Sequence, residues 1–135
     1  MIQDPSVRRA VFASWVTIRK LCNTGEMIRM EFPSMVWAAW PKELINLPLV
    51  LAYCSLEEVL GQLVQEGHFC GQSLKLAGLM DASQAVVPWQ NYPLVNDGRR
   101  QRNKLAHEGL FVPRDRALQL IEAIEFELKA WQVLL

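Results

Sequence analysis

One basic segment, residues 96–109, holds the side chains best suited to chemistry, and it reads Asn-Asp-Gly-Arg-Arg-Gln-Arg-Asn-Lys-Leu-Ala-His-Glu-Gly. The imidazole of its histidine, His107, can exchange a proton near neutral pH, and an arginine guanidinium can bind a phosphate through two donors. A phosphate ester is therefore the kind of group that this segment is suited to hold. The cations that would bind it lie within six positions, and they are Arg99, Arg100, Arg102 and Lys104.

On a helix, this spacing divides the segment into two sides. Asn103 and His107 are four residues apart and share a face, with Arg99 one turn earlier on the same side. Arg102 lies about 140° from His107 around the helix axis, so it flanks that face. We expect Leu105 and Ala106 to anchor the segment to a core.

The run Arg102-Asn103-Lys104-Leu105-Ala106-His107 resembles the signature of the HEPN superfamily. In that family an arginine, commonly followed by a polar residue such as asparagine, precedes a histidine by four to six positions. The resemblance implies a small bundle of four or five helices and metal-independent cleavage of RNA without a cofactor. Arg102 and His107 would be the catalytic pair, Asn103 would support them, and the products would carry a 2′,3′-cyclic phosphate and a 5′-hydroxyl.

The number of histidines in the segment bears on assembly. His107 is its only histidine, whereas concerted cleavage needs both a base and an acid. HEPN ribonucleases dimerise so that two motifs face one cleft, and the resemblance therefore implies a two-fold homodimer. The apolar Trp37/Trp40 region is a candidate interface. The resemblance also points to a toxin or antiviral effector with an antitoxin or operon-encoded partner. No tyrosine follows His107 closely, so the modification that regulates some HEPN toxins is not expected.

Helices must position this segment, and apolar residues at steps of three and four predict three long ones. A first helix begins at Asp4-Pro5-Ser6 and ends or weakens near Asn23-Thr24-Gly25, and Pro48 can be the first residue of the second. The apolar stripes are Val7, Val11, Trp15, Ile18 and Cys22; Leu49, Tyr53, Leu56, Leu60 and Leu63; and Ala117, Ile121, Ile124, Leu128, Trp131 and Leu135.

Two shorter helices complete the predicted architecture. One covers Phe69 to Met80, and the other runs from near Leu94 to His107, where Gly109 can end it in the left-handed conformation. The last long helix would begin near Arg114. No strand-like alternation of useful length is visible. The sequence thus predicts an all-α, up-and-down bundle of four to five helices in a single domain over residues 1–135.

Composition narrows the function classes. The 14 basic and 14 acidic residues balance, so no global field draws the chain to nucleic acid or to a membrane. Three widely spaced cysteines argue against a secreted disulfide framework. His68 and Cys70 are close in sequence, but no second pair of ligands is spaced to complete a four-ligand zinc site with them. The N-terminus does not read as a signal peptide, and the apolar stretch Leu44–Tyr53 is too short for a bilayer. We expect a cytoplasmic protein without metal or membrane contact.

Three interpretations remain open from the sequence. The chain is an endoribonuclease, or a catalytically silent HEPN-like module that binds a nucleotide or RNA, or a structural helical dimer. In the structural case Arg102 and His107 would only cap a helix and form salt bridges, because a cation near a helix C-terminus interacts favourably with the helix dipole. In the other two cases both side chains should face solvent.

Overall fold

Helical periodicity dominates the chain, and the structure, a computed structural model, describes residues 1–31, 39–71 and 73–134, with side chains at 1–24, 46–71 and 73–134. The described residues contain helices and connections and no strand. This confirms the predicted all-α helical bundle. The helices are α1 (Pro5–Glu31), α2 (Ala39–Gln65), α3 (Leu76–Ser83), α4 (Tyr92–Glu108) and α5 (Arg114–Ala130).

The central helix of the bundle is α2, which contacts each of the other four helices. Burial of apolar surface drives this arrangement, and the predicted stripe on α2 is confirmed, since all five of its members are fully buried. The stripe on α5 is confirmed from Ala117 to Leu128. The helix was expected to run to the C-terminus but ends at Ala130, so Trp131 is buried from the turn that follows it. Leu135 lies outside the described residues. On α1, Val7 is half-buried and the other four members are buried.

Two boundaries considered for the long helices differ from the structure: α1 does not end near Asn23-Thr24-Gly25, one of the two outcomes left open there, and α2 begins before Pro48. α1 continues through Asn23-Thr24-Gly25 to Glu31, and the Thr24 hydroxyl donates to the Lys20 carbonyl one turn back. α2 begins at Ala39, so Pro48 lies inside it. An interior proline removes one helical hydrogen bond, but Asn46 and Leu49 on either side are held in the core, which keeps the chain helical there.

The predicted Phe69–Met80 helix is also wrong in its bounds. Residues 66–71 and 73–75 connect α2 to α3, and Lys75 before α3 is extended. Phe69 lies in this connection and not in a helix, yet its side chain is buried. A single aromatic side chain can reach the core without being part of a helical stripe. By contrast, α4 begins at Tyr92, close to the predicted Leu94, and the Asn91 side chain caps it by accepting from the Leu94 amide.

One stretch of α2 bears on membranes. Asn46–Gln65 is long and apolar enough to cross a bilayer by length and composition alone, which makes it longer than the Leu44–Tyr53 run considered from the sequence. Half of the stretch is buried inside the bundle, and the core helix of a soluble protein meets the same criteria. The Trp37/Trp40 region, the predicted interface, lies outside the side chains that the structure describes.

Candidate functional site

The first turn of α4 is fixed against α5 by a buried carboxylate. Glu127 is fully buried, and its oxygens accept the backbone N–H groups of Gln90 and Asn91 at 2.6–3.0 Å. Such charge-assisted bonds are stronger than those between neutral groups. Trp89 packs edge-on against Trp131 with 4.7 Å between ring centroids. The start of the candidate helix therefore has a defined position on the bundle.

The middle of α4 crosses the core at Gly98. The Tyr53 hydroxyl on α2 donates to the Val95 carbonyl at 2.8 Å. A Cβ at Gly98 would lie 2.1 Å from that hydroxyl oxygen and 2.5 Å from a Leu120 methyl group, so only glycine allows this close approach. The sequence analysis missed Gly98, although a glycine inside a helix costs about 1 kcal/mol and often marks tight packing.

Beyond Gly98, α4 extends away from the core. Val95 and Gly98 are its only buried residues, Leu105 is half-buried, and Ala106 is exposed. The prediction that Ala106 anchors the segment is therefore wrong, because the contact with α2 and α5 is made about two to three turns earlier, at Val95 and Gly98. Gly109 ends the helix in the left-handed conformation, with φ of 66°, as predicted, and its N–H bonds the Leu105 carbonyl.

The loop after Gly109 is tied back to α2 by one buried side chain. The side-chain nitrogen Nδ2 of Asn46 donates to the Val112 carbonyl at 3.0 Å, and the Val112 N–H donates to the side-chain oxygen Oδ1 of Asn46 at 2.8 Å. This two-way pairing satisfies backbone groups that would otherwise be buried without partners. It places the loop, residues 109–113, beside the C-terminal turn of α4.

The three predicted catalytic residues occupy the projecting half of α4. His107 is exposed, whereas Arg102 and Asn103 are half-buried. The Arg102 guanidinium contacts the side-chain oxygen Oδ1 of Asn103 at 3.5 Å, the long limit of a hydrogen bond. Among the described residues, Asn103 therefore has a hydrogen bond to the arginine and none to the imidazole. Neither Arg102 nor His107 has a carboxylate partner among the described residues, so the pairing required by the purely structural interpretation is not found there.

The predicted phosphate-binding cations surround these residues. Arg100 and Lys104 are exposed, and Arg99 is half-buried with its Nε bonded to the Asn96 side chain at 3.0 Å. A fifth cation comes from α5, where Arg116 bonds Asp97 at 2.5 Å and Gln119 at 2.8 Å. Sequence reasoning missed Arg116, because only the crossing of α4 and α5 brings it near the segment.

Among the described side chains, no group of three histidine, cysteine, aspartate or glutamate residues could hold a metal ion. His68 lies 3.8 Å from the Glu66 carboxylate, in the connection after α2. The described site therefore consists of cations, amides and one imidazole on an exposed helix end, an arrangement that can bind an anion and exchange a proton.

Comparison with protein-family models, curated proteins and solved structures found no match to this chain.

Proposed function

We propose that the chain is a metal-independent endoribonuclease of the HEPN type that acts as a homodimer in the cytoplasm. The observation that supports this most is the exposure of His107 on the projecting half of α4, one turn from Asn103, on the same helix end as a half-buried Arg102. An imidazole near solvent with cations around it can meet a phosphodiester without first breaking an ion pair. The resemblance of the six-residue motif to the HEPN signature supplies the reaction type.

In the proposed reaction, the His107 imidazole takes the proton of a ribose 2′-hydroxyl, and that oxygen attacks the adjacent phosphorus. Arg102 binds the phosphoryl oxygens as negative charge accumulates on them. The bond to the 5′-oxygen breaks, and that oxygen receives a proton from a second imidazole. The products carry a 2′,3′-cyclic phosphate and a 5′-hydroxyl, and no metal ion or cofactor takes part.

The geometry of a single copy explains why two are proposed. Arg102 and His107 lie about 140° apart around α4, and only one imidazole is available on the helix. Two copies facing each other across a two-fold axis would place the arginine of one near the histidine of the other. If the protein proves monomeric, only one imidazole is available, and the alternative function is favoured, a silent module that binds RNA or a nucleotide.

The test is incubation with single-stranded RNA in buffer containing a chelator. Wild type should cleave, whereas His107→Ala and Arg102→Ala should lose about 100-fold or more of the rate, the usual contribution of acid–base catalysis. The chain has one other histidine, so His68→Ala is the matched control and should retain activity. Mass spectrometry should find a cyclic phosphate. Cleavage that requires magnesium, or equal inertness of all variants, would overturn the proposal.

Two further measurements address assembly and biological role. Sedimentation velocity at micromolar concentration should give the mass of a dimer, and a monomer would favour the silent binding module. A toxin or antiviral effector should arrest growth when expressed without its antitoxin or operon partner. His107→Ala should relieve that arrest, whereas His68→Ala should not.

A further inference from the structure

A groove of about 350 Å³ lies beside the candidate site, between the C-terminal half of α4, the loop after it and the start of α5. Its polar side is formed by Gln101 and Lys104 on α4 and by Arg116 on α5, and its apolar side by Leu110, Phe111 and Pro113. The volume is at the lower end of the range for small-molecule sites. It suits one planar ring system better than a whole peptide segment.

The apolar side of the groove is open to solvent. Leu110 is 55% exposed and Phe111 is 43% exposed, although Val112, the next residue, is held in the core by Asn46. The backbone next to Phe111 is therefore held in place, because the following residue is hydrogen-bonded to Asn46. An exposed aromatic ring on a rigid support is the feature on which unpaired nucleobases stack.

The polar side of the groove offers one exposed cation, Lys104, and a guanidinium, Arg116, whose charge is paired with the Asp97 carboxylate. Asp97 and Gln119 hold the Arg116 guanidinium at 2.5 Å and 2.8 Å, so its position is set before any ligand arrives. The Gln101 side-chain nitrogen donates to Asp97 at 3.1 Å, and its side-chain oxygen can accept a hydrogen bond from a base edge. A planar apolar ring attached to a phosphate, which is a nucleotide, complements this combination of groups.

Lys104 connects the groove to the candidate site. It lines the groove, and it lies three residues before His107 on α4, so that the two side chains are neighbours on the helix surface. A strand with its scissile phosphate at His107 can therefore place the adjacent phosphate near Lys104 and the base that follows in the groove.

We propose that this groove binds the nucleobase next to the cleaved bond of a single-stranded RNA, with the base stacked on Phe111 and its phosphate held by Lys104. This proposal rests on the proposed ribonuclease function. It assigns part of the RNA affinity to a loop that carries no part of the catalytic motif, and it explains why Leu110 and Phe111 remain exposed.

The experiment uses an RNA whose cleavage position has been mapped with the wild-type protein. Binding is then measured by fluorescence anisotropy in the His107→Ala background, where the RNA stays intact. Phe111→Leu keeps an apolar side chain and removes the aromatic ring, so the Kd should rise about fivefold or more, as expected for the loss of one stacked base. Phe126→Leu is the control, because Phe126 is 60% exposed on α5 and does not line the groove.

An abasic RNA locates the contact. Removing the base next to the cleaved bond should weaken binding as much as Phe111→Leu does, and the two changes together should weaken it no further, because both remove the same stack. Additive losses, or an unchanged Kd for Phe111→Leu, would overturn the groove proposal while cleavage by wild type left the ribonuclease proposal standing. If wild type neither cleaves nor binds the RNA, both proposals fail.

Discussion

The hydroxyl of Tyr53 on α2 donates a 2.8 Å hydrogen bond to the carbonyl oxygen of Val95 on α4. A carbonyl oxygen accepts two hydrogen bonds, so this contact need not take the place of the helical bond within α4. Gly98, one turn later, leaves the space that the phenol occupies, since a Cβ there would be 2.1 Å from the hydroxyl oxygen. The pair of contacts sets the direction in which α4 leaves the core, and with it the position of Arg102.

Gly98→Ala should destabilise the protein. The added methyl group meets Tyr53 and two methyl groups of Leu120 at 2.1–2.9 Å, so α4 must move or a buried side chain must leave its rotamer. Overpacking of this kind costs about 1–3 kcal/mol, which urea denaturation would show as a lower midpoint.

The matched control is Gly61→Ala. Gly61 also lies inside a helix, α2, but a Cβ there meets nothing within 4 Å. Alanine is favoured over glycine in helices by about 0.5–1 kcal/mol, so this variant should be more stable than wild type. Equal effects of the two substitutions would contradict the close crossing at Gly98.

Tyr53 should resist ionisation until the protein unfolds. Burial away from water raises the pKa of its phenol well above the ordinary value of 10.0. The folded state thus keeps a proton that the unfolded state loses near pH 10, so stability is lost as the pH rises above that value. The chain has two tyrosines. An absorbance titration should show Tyr92 ionising first and a second step that coincides with the loss of helical circular dichroism.

Tyr53→Phe identifies the second step. It should remove the step that accompanies unfolding and leave the first one in place. Ionisation of both phenols before any loss of helical signal would show that Tyr53 is reached by solvent, and the packing of α4 on α2 would then be looser than described.

Local signals in the sequence were sufficient to predict most of α4. Gly109 ends the helix through its own backbone, as predicted, and Asn91, a capping residue that the sequence analysis missed, acts through its side chain. Such capping preferences need no tertiary contact. The three long apolar stripes were predictable for a similar reason, because the helical period alone puts their members on one face.

The contacts that position the site could not be predicted in this way. Arg116 reaches Asp97 only because α5 crosses α4, and residues nineteen apart carry no helical spacing that would reveal it. Ala106 was assigned to the core by its apolar character, yet α4 has already left the bundle at that point. Whether a helix face is covered depends on where its neighbours end, which periodicity does not report.

Asn46→Leu should release the loop that follows α4. The substitution keeps the size of the side chain but leaves the Val112 N–H and carbonyl without the partners that they have now at 2.8 Å and 3.0 Å. Val112 is 4% exposed, so these groups cannot turn to water without local opening. We expect a loss of about 1–3 kcal/mol in the free energy of unfolding.

Hydrogen exchange provides the local readout for this variant. The Val112 amide should exchange faster in Asn46→Leu. The exchange rates of amides in the middle of α5 should change only as much as the change in global stability requires. Asn23→Leu is the control, since Asn23 is exposed on α1, and it should leave Val112 protected. Unchanged protection of Val112 in Asn46→Leu would mean that the loop is held by other contacts.

The Glu125 carboxylate on α5 should make part of the stability depend on pH. Arg19 donates to it at 2.6 Å and 2.9 Å, and the Trp15 indole donates at 2.6 Å. The hydrogen bonds from Arg19 lower the pKa of Glu125 below its ordinary value of 4.5, and the bond from Trp15 adds to the effect. The stability that ionised Glu125 contributes is therefore present above the pKa that this carboxyl has in the unfolded chain. It is lost as the pH falls through the lower pKa of the folded state.

Glu125→Gln removes the charge and keeps the shape of the side chain. The Arg19 and Glu125 side chains are 33% and 19% exposed, so solvent screens the pair. The free energy of unfolding of wild type should therefore exceed that of the variant by about 1 kcal/mol at neutral pH. The difference between them should shrink as the pH is lowered from 5 toward 3. Glu122→Gln, at an exposed position of the same helix, controls for the loss of a negative charge. If urea denaturation gave a difference between wild type and Glu125→Gln that stayed constant over this range, Glu125 would not be the group whose protonation loosens α1 from α5.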